Sequence, residues 1–307
     1  MTLSHLYPGD QICGKWNQNT YKILAILGVG GIGKVYKVVD IKTHEIWALK
    51  ISSDIHSVTK EYEMLKKFES IQCIPRVKEI DDFFQGKQTQ YYIVLEYIQG
   101  KDLKNYLQDK SISIKTALGI TIIVGEGFQI LHKNKLVFGD LKLENLMIDE
   151  KNQSLKVIDL GGVTPMGCSI KEFTPLYDRA SWNMGLRRAD EKYDLFSISM
   201  LLAILLLKRN HTMQVSCVDH VIRRLKNVDI PSRLVRLIHK GLKQKSISFE
   251  EFLLQIKKIY QNSMYHFHIL DINKYNKKNM LINGVFIGSV ALFIGIVAVC
   301  FRKSIWF

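Results

Sequence analysis

Phe138-Gly139-Asp140-Leu141-Lys142-Leu143-Glu144-Asn145-Leu146-Met147-Ile148 is the stretch on which the reading of this chain turns. It sets an acid, a lysine and an asparagine close together in a polar loop. Phe138 on one side and Leu146-Met147-Ile148 on the other are apolar anchors that would hold that loop in a core. A second acidic turn, Asp159-Leu160-Gly161, follows it. Far upstream lies a glycine cluster, Gly28-Val29-Gly30-Gly31-Ile32-Gly33-Lys34-Val35. Glycines at that spacing are a weak sign taken alone. A dinucleotide fold would continue into a helix and place an acid about twenty residues later. Here Val35-Tyr36-Lys37-Val38-Val39 continues as a strand-like run instead. The glycines therefore sit in a turn between two strands, where missing Cβ atoms let backbone N–H groups come close to a ligand.

Working outward, residues 21–97 are strand-rich: YKILAILG, KVYKVVDI, IWALKIS and YYIVLEYI are β-branched or aromatic runs separated by Gly or polar breaks. One helical stretch, Val58 to Phe68, interrupts them, with Val58, Tyr62, Leu65 and Phe68 on one face. From Leu103 to Tyr260 the patterns are mostly helical, with short strand-like pieces at LMID and LKVID. The expected class is α+β: a β-rich small lobe followed by an α-rich large lobe. The apolar share of 47% with 23% charged residues excludes wholesale disorder. Five cysteines form no C-x-x-C pair and no zinc-spaced cluster, which suits a reducing compartment. The opening MTLSHLYPGD has no apolar h-region, so no cleaved secretory signal is expected.

Taken in order, these pieces resemble the protein kinases, and the chain is similar to the bacterial Hanks-type serine/threonine kinases over roughly residues 20–260. More narrowly it resembles their short forms with a C-terminal membrane anchor and no extracellular sensor domain, found in endospore-forming, Bacillus-like bacteria; a sporulation role is the corresponding expectation. The resemblance implies the bilobal kinase fold and ATP as phosphoryl donor, with Mg²⁺ or Mn²⁺. Gly28, Val29, Gly30, Gly31, Ile32, Gly33, Lys34 and Val35 would cover the phosphates. Trp47-Ala48-Leu49-Lys50 resembles the V-A-I-K strand, with Ala48 at the nucleotide and Lys50 on the α- and β-phosphates. Glu61, in register with Leu65 and Phe68, would pair with Lys50; Glu63 is the fallback. Glu96 and Ile98 belong to the hinge whose backbone would bond the adenine, and Asp102 would meet the ribose. Asp140 would accept the substrate hydroxyl proton and Lys142 neutralise the γ-phosphoryl group. Asn145 and Asp159 would hold the metal, and Asp194 would support the catalytic loop from below. Implied too are Ser/Thr protein substrates and autophosphorylation, for which Thr164, Ser169 and Thr174 are the candidate acceptors.

The chain departs from the family in two places. Phe138-Gly139 stands where His-Arg is usual, so the arginine that receives an activation-loop phosphate is missing and a non-RD kinase is expected. Gly139-Asp140 echoes the H-G-D loop of kinase-like small-molecule phosphotransferases, but Lys142 argues for a protein acceptor and D-L-K leans to Ser/Thr. Arg179-Ala180-Ser181 stands at the A-P-E position, without its glutamate, so the following helix would have to be steadied differently. An ATP-binding pseudokinase scaffold and a small-molecule phosphotransferase are the alternatives to an active protein kinase.

Two apolar runs have different meanings. Leu195 to Leu207, without a charge, is too short to span a bilayer and reads as a buried helix. Asn279 to Phe301 is long enough to cross about 30 Å of hydrocarbon and is flanked by Lys277-Lys278 and Arg302-Lys303. The expected plan is an N-terminal segment 1–20, a small lobe 21–97, a large lobe 98–262, a basic linker 263–279, a transmembrane helix 280–301 and a tail 302–307 outside. A single-pass protein of a bacterial cell membrane, its kinase domain cytoplasmic, follows. Gly284 and Gly288 form a G-x-x-x-G pair, which suggests a homodimer. The net charge of +14 is concentrated in residues 208–278, which carry 15 Lys and Arg against 5 Asp and Glu. Arg233, Arg236 and Lys240 recur at helical spacing, with Lys243 and Lys226 nearby. DNA bound without sequence preference, or anionic lipid, is the expected partner of that face.

Overall fold

The structure is a computed structural model that describes residues 5–30, 33–86, 88–207 and 217–262. By internal contacts the chain divides into Met1–Lys257 and Lys258–Phe307. The described part of the second unit is the helical stretch 258–262. The expected transmembrane helix, the linker before it, and Gly31 and Ile32 of the glycine turn lie outside the described residues.

The small lobe is one antiparallel sheet of six strands: β1 (Gln11–Cys13), β2 (Thr20–Val29), β3 (Lys34–Asp40), β4 (Ile46–Ser52), β5 (Val77–Gln85) and β6 (Gln88–Glu96), in the order β1-β2-β3-β4-β6-β5. Its inner face carries Tyr21, Ile23, Tyr36, Val38, Leu49, Tyr92 and Val94. Against the sheet packs α1 (Ile55–Lys67), capped by Asp54, whose side chain accepts from the His56 N–H. Val58, Glu61 and Leu65 are its buried residues, a stripe at spacing three and four. Tyr62 of the expected stripe is only half-buried, and Phe68 is buried just past the helix end.

Strand β5 is absent from the sequence reading, for a clear physical reason. Its inward positions are Val77, Glu79, Asp81 and Phe83, so two carboxylates stand where apolar residues normally announce a strand. Both are satisfied from the N-terminal segment. Asp81 accepts from the N–H groups of Trp16 at 3.1 Å and Asn17 at 2.7 Å; Glu79 accepts from the Asn19 amide. Gly14 is required there, since a Cβ would lie 2.3 Å from an Asp81 oxygen.

The large lobe begins with β7 (Gly100–Asp102), α2 (Leu103–Asp109) and α3 (Ile114–Lys133), followed by β8 (Leu136–Val137). A 3₁₀ turn, Leu143–Asn145, leads into the hairpin β9 (Leu146–Asp149) and β10 (Ser154–Val157), and Thr164–Pro165 pairs with β8 as β11. Then come α4 (Glu191–Leu207), α5 (Val218–Lys226) and α6 (Ser232–Lys243), with residues 249–257 helical beyond. Every residue of α4 from Tyr193 to Leu207 is buried, including those on both sides of the helix. It is the axis of the lobe, contacted by α3, α5 and α6. Gly241 permits the crossing of α6 over α4, because a Cβ would sit 2.1 Å from the Ser199 hydroxyl. Among the described residues α3 alone has the length and hydropathy to cross a membrane. It packs on α4 with Ala117, Leu118, Val124, Phe128 and Leu131 buried, as a core helix does.

Candidate active site

A cleft of about 950 Å³ separates the two lobes and gathers side chains from across the chain. Gly28, Gly30, Gly33, Val35, Ala48, Lys50 and Glu61 line it from the small lobe. Glu96, Ile98 and Asp102 line its back, and Asp140, Lys142, Asn145, Asp159 and Thr174 its floor.

The glycines of the β2–β3 turn do two different jobs. Gly30 donates its N–H to the Gly33 carbonyl at 2.8 Å and closes the turn. Gly33 lies under β4, where a Cβ would meet the Ile51 carbonyl at 2.2 Å; packing demands a glycine there. Gly28 and Gly30 face open space, with nothing closer than 3.7 Å to an added Cβ. Packing does not explain them, and they leave room for a ligand to come close to the backbone.

Strand β4 delivers Lys50 to the cleft and α1 delivers Glu61. The ammonium lies 2.6 Å from Glu61 Oε2 and 3.4 Å from Asp159 Oδ1. Burial acts against the lysine's charge, but Glu61 and then Asp159 outweigh it and hold its pKa above the usual range. Burial, helped by Asp159 and Glu172 and opposed by Lys50, raises the Glu61 carboxyl to about 7. Glu63, the fallback partner, is exposed on α1 and outside the cleft lining. Asp159 adopts the left-handed region at φ 68°, unusual for a side chain other than glycine, and accepts from the Gly161 N–H at 3.2 Å. Lys60 fastens the same turn to α1 through the Gly161 carbonyl at 2.6 Å.

On the floor, Asp140 is held from three sides. Lys142 donates to its Oδ2 at 2.6 Å, the Thr174 hydroxyl to its Oδ1 at 2.8 Å, and the Asn145 amide to its backbone carbonyl at 3.1 Å. That last bond uses the amide hydrogen of Asn145, so its Oδ1 is the atom that could ligate a metal; Asp159 lines the same cleft. One amide oxygen and one carboxylate suit Mg²⁺, which completes its shell with water and phosphate oxygens. Beneath the loop, buried Asp194 accepts from the N–H groups of Phe138 at 2.9 Å and Gly139 at 3.3 Å, and bonds His132 Nε2 at 2.9 Å. Gly139 has φ 83°, and a Cβ there would lie 3.0 Å from the Gly162 carbonyl.

Asp102 stands in the cleft, but its carboxylate caps α2 and is engaged by the Asn105 N–H and amide. Glu96 pairs with Lys156 at 3.1 Å. The basic residues expected to meet a polyanion are on α6: Arg233, Arg236 and Lys240 are exposed along one face. Lys243 is half-buried and spends its charge on Asp219 at 3.2 Å.

Several residues of this architecture carry no signal in the sequence. His132 is one, and Thr174, read from the sequence as a candidate acceptor, serves instead as a donor to Asp140. A further group replaces the absent A-P-E glutamate. Asp178, fully buried, accepts from Arg187, the Tyr193 hydroxyl, and both the N–H and the hydroxyl of Ser181. Arg179 makes a two-pronged pair with Asp190, at 2.8 and 2.7 Å, and reaches Gln244 at 3.2 Å. Together they tie residues 178–187 to the start of α4 and the end of α6.

The protein kinase domain family matches residues 21–264. The chain belongs to the protein kinase family. It is 37% identical over 203 residues to the serine/threonine-protein kinase YabT of Bacillus subtilis, covering 64% of this chain and 59% of that protein. It is 29% identical over 161 residues to the serine/threonine-protein kinase PrkC of the same species, covering 50% of this chain and 24% of PrkC. To mouse MAP kinase-activated protein kinase 2 it is 29% identical over 215 residues, covering 66% of this chain and 55% of that protein. The chain thus spans little more than half the length of YabT and of the mouse kinase. These likenesses place it with the bacterial Hanks-type serine/threonine kinases, as the motifs suggested.

Proposed function

We propose that this chain is an active serine/threonine protein kinase that moves the γ-phosphoryl group of ATP to protein hydroxyls. The observation that carries the reading is the assembled cluster Glu61–Lys50–Asp159 under two glycines with open space around them. In this reading Gly28 and Gly30 admit the phosphates, Lys50 orients them, and the backbone of residues 96–98 takes the adenine. Asn145 and Asp159 hold Mg²⁺, which would offset charge building on the phosphoryl oxygens. Lys142 leaves Asp140 for the γ-phosphoryl group. Asp140 then takes the acceptor's proton as the new O–P bond forms and the bond to ADP breaks.

The test compares the full chain with Asp140→Asn. The variant should bind ATP as before and lose transfer to protein acceptors by ~10²–10⁴-fold. ATP binding by the unaltered chain without transfer to any acceptor would favour a scaffold. Preference for sugar or aminoglycoside hydroxyls would favour a small-molecule phosphotransferase.

A second reading concerns the outer helices. Arg223 and Lys226 of α5 and Arg236 and His239 of α6 line a groove of about 270 Å³, beside exposed Arg233 and Lys240. Among the described residues Asp219 is the one acid lining it. This charge suits a polyanion; the reading takes it as DNA, bound without sequence selection and raising kinase activity, with anionic lipid as the alternative. Charge reversal at Arg233, Arg236 and Lys240 should abolish salt-sensitive duplex binding and any stimulation. Binding to anionic vesicles but not duplex at low salt would give the face to lipid. Anchoring through 280–301 with a cytoplasmic kinase domain completes the proposal: a protease confined to the outer face should leave the domain whole. Pairing of anchors through Gly284 and Gly288 should weaken in Gly288→Ile.

A further inference from the structure

The turn Asp159-Leu160-Gly161 is held in a shape that Asp159 does not favour. At φ 68° its backbone lies in the left-handed region, which side chains other than glycine rarely adopt. Such a residue stays in place only where its surroundings fix it from several sides. Here the anchors can be taken one by one. Leu160 is fully buried, and the Val163 N–H donates to its carbonyl at 3.1 Å. Asp159 Oδ1 accepts from the Gly161 N–H at 3.2 Å and lies 3.4 Å from Lys50 Nζ. Both of those contacts are long. The short one belongs to Lys60, whose Nζ donates to the Gly161 carbonyl at 2.6 Å across 101 positions of sequence. Gly161 is thereby held at both of its peptide groups, the N–H by Asp159 and the carbonyl by Lys60. A residue without a Cβ has the widest backbone freedom to lose, so each of these bonds counts.

Lys60 is exposed on α1, and among the described residues it has no carboxylate partner. Its bond to Gly161 is also the one hydrogen bond, among the described residues, that ties an α1 side chain directly to the turn. Its neighbour Glu61 reaches Asp159 only through Lys50. Lys60 does not line the cleft. A part in the transfer itself is therefore not open to it.

We propose that Lys60 is a positioning residue for metal binding, acting through Gly161 to hold the Asp159 carboxylate in place for Mg²⁺. The inference rests on the protein kinase reading and deepens it, because it gives α1 two adjacent tasks. Glu61 orients the lysine that meets the phosphates, and Lys60 fixes the turn that meets the metal. Mg²⁺ demands near-ideal placement of its few protein oxygens, and groups that orient a metal ligand govern affinity much as the ligand does. The charge of Lys60 matters as well as its reach, since a hydrogen bond from an ammonium is about twice as strong as a neutral one. A surface lysine resting idly on the nearest carbonyl would instead leave metal binding untouched.

The experiment measures ATP binding to the full-length chain by titration calorimetry, first without divalent metal and then with Mg²⁺. It compares the unaltered protein with Lys60→Met, which keeps the length of the side chain and removes the donor, and with Lys60→Arg. Metal-free ATP should bind Lys60→Met within about twofold of the unaltered chain, whereas the gain in affinity on adding Mg²⁺ should fall about tenfold. Mn²⁺ taken up by the ATP complex, followed by electron paramagnetic resonance, should need about ten times as much metal to saturate. Lys60→Arg should recover part of the loss. The thermal midpoint of nucleotide-free Lys60→Met should stay within about two degrees, as for a surface substitution. In an Asp159→Asn background Lys60→Met should change the Mg²⁺ gain no further, since both act on one ligand. An unchanged Mg²⁺ gain in Lys60→Met overturns the proposal and leaves the kinase reading standing. Equal weakening of ATP with and without metal also overturns it, and makes Lys60 a support of the nucleotide site as a whole. ATP binding by the unaltered chain that ignores Mg²⁺ overturns the kinase reading, and this proposal with it.

Discussion

Two carboxylates are shielded from solvent to nearly the same degree, and they behave in opposite ways. Glu61 in the cleft has side-chain exposure of 3% and Asp178 below the cleft has 0%. Glu61 has the cation Lys50 beside it and two further acids nearby, Asp159 and Glu172, and its pKa rises to about 7. Burial also acts to raise Asp178, but hydrogen bonds from Ser181, Arg187 and Tyr193 win and hold it below the usual carboxylate range. Depth and donors act together: Glu61 is the more deeply enclosed and has one cationic partner, whereas three residues donate to Asp178. A carboxylate with a single cationic partner in a cleft can let that partner go, whereas one wrapped by four donor groups is structural cement.

Breaking the second region should have the larger effect on the fold. Asp178→Ala strands the Tyr193 hydroxyl and releases Arg187, and should cost about 2–4 kcal/mol in denaturant unfolding. The paired Asp178 is stabilising above its unfolded pKa of 3.8, and that contribution is lost as pH falls through the lower folded value. The variant's deficit should therefore shrink in acid below about pH 3.8. A loss under about 1 kcal/mol would mean that these bonds do not act as a unit.

Glu61→Gln should separate activity from stability. Transfer should fall about tenfold or more, because a neutral amide holds Lys50 less firmly. The folded pKa of Glu61 is raised, so the fold prefers its neutral form. Between pH 4.5 and about 7 the unaltered protein therefore gives up stability that the glutamine variant keeps. The thermal midpoints of the two proteins should agree near pH 4.5 and diverge in the variant's favour up to about pH 7. A variant less stable at about pH 8 would show that the Lys50 attraction outweighs burial.

The smaller effects sharpen the same contrast. Arg179→Lys keeps the charge but loses the two-pronged geometry with Asp190, and should cost about 1–2 kcal/mol in unfolding. Gly28→Ala meets nothing within 4 Å and should leave the thermal midpoint within about a degree, while raising the KM for ATP several-fold. An unchanged KM would remove Gly28 from phosphate binding.

How much could be read in advance follows from where each residue's partner lies. Glu61 was legible because α1 writes its buried stripe in steps of three and four, and Lys50 because four consecutive residues of β4 suffice to place it. Asp140, Lys142 and Asn145 are bonded to one another within six residues, so the loop's chemistry is carried in its local order. Asp178, Arg179 and His132 looked like ordinary polar residues. Their partners, Tyr193, Gln244 and Asp194, are 15, 65 and 62 positions away. Strand β5 was hidden because Glu79 and Asp81 break its alternation, and the groups that satisfy them come from residues 16–19.

By itself, then, the sequence determined the two lobes, the family and the line of groups along the cleft, since periodicity and short spacing are properties of the chain alone. Only the tertiary structure decided which glycines leave room for a ligand and what takes the place of the missing glutamate. Those answers depend on what a distant segment brings within about 3–4 Å, and buried polar groups accept whichever partner the fold supplies.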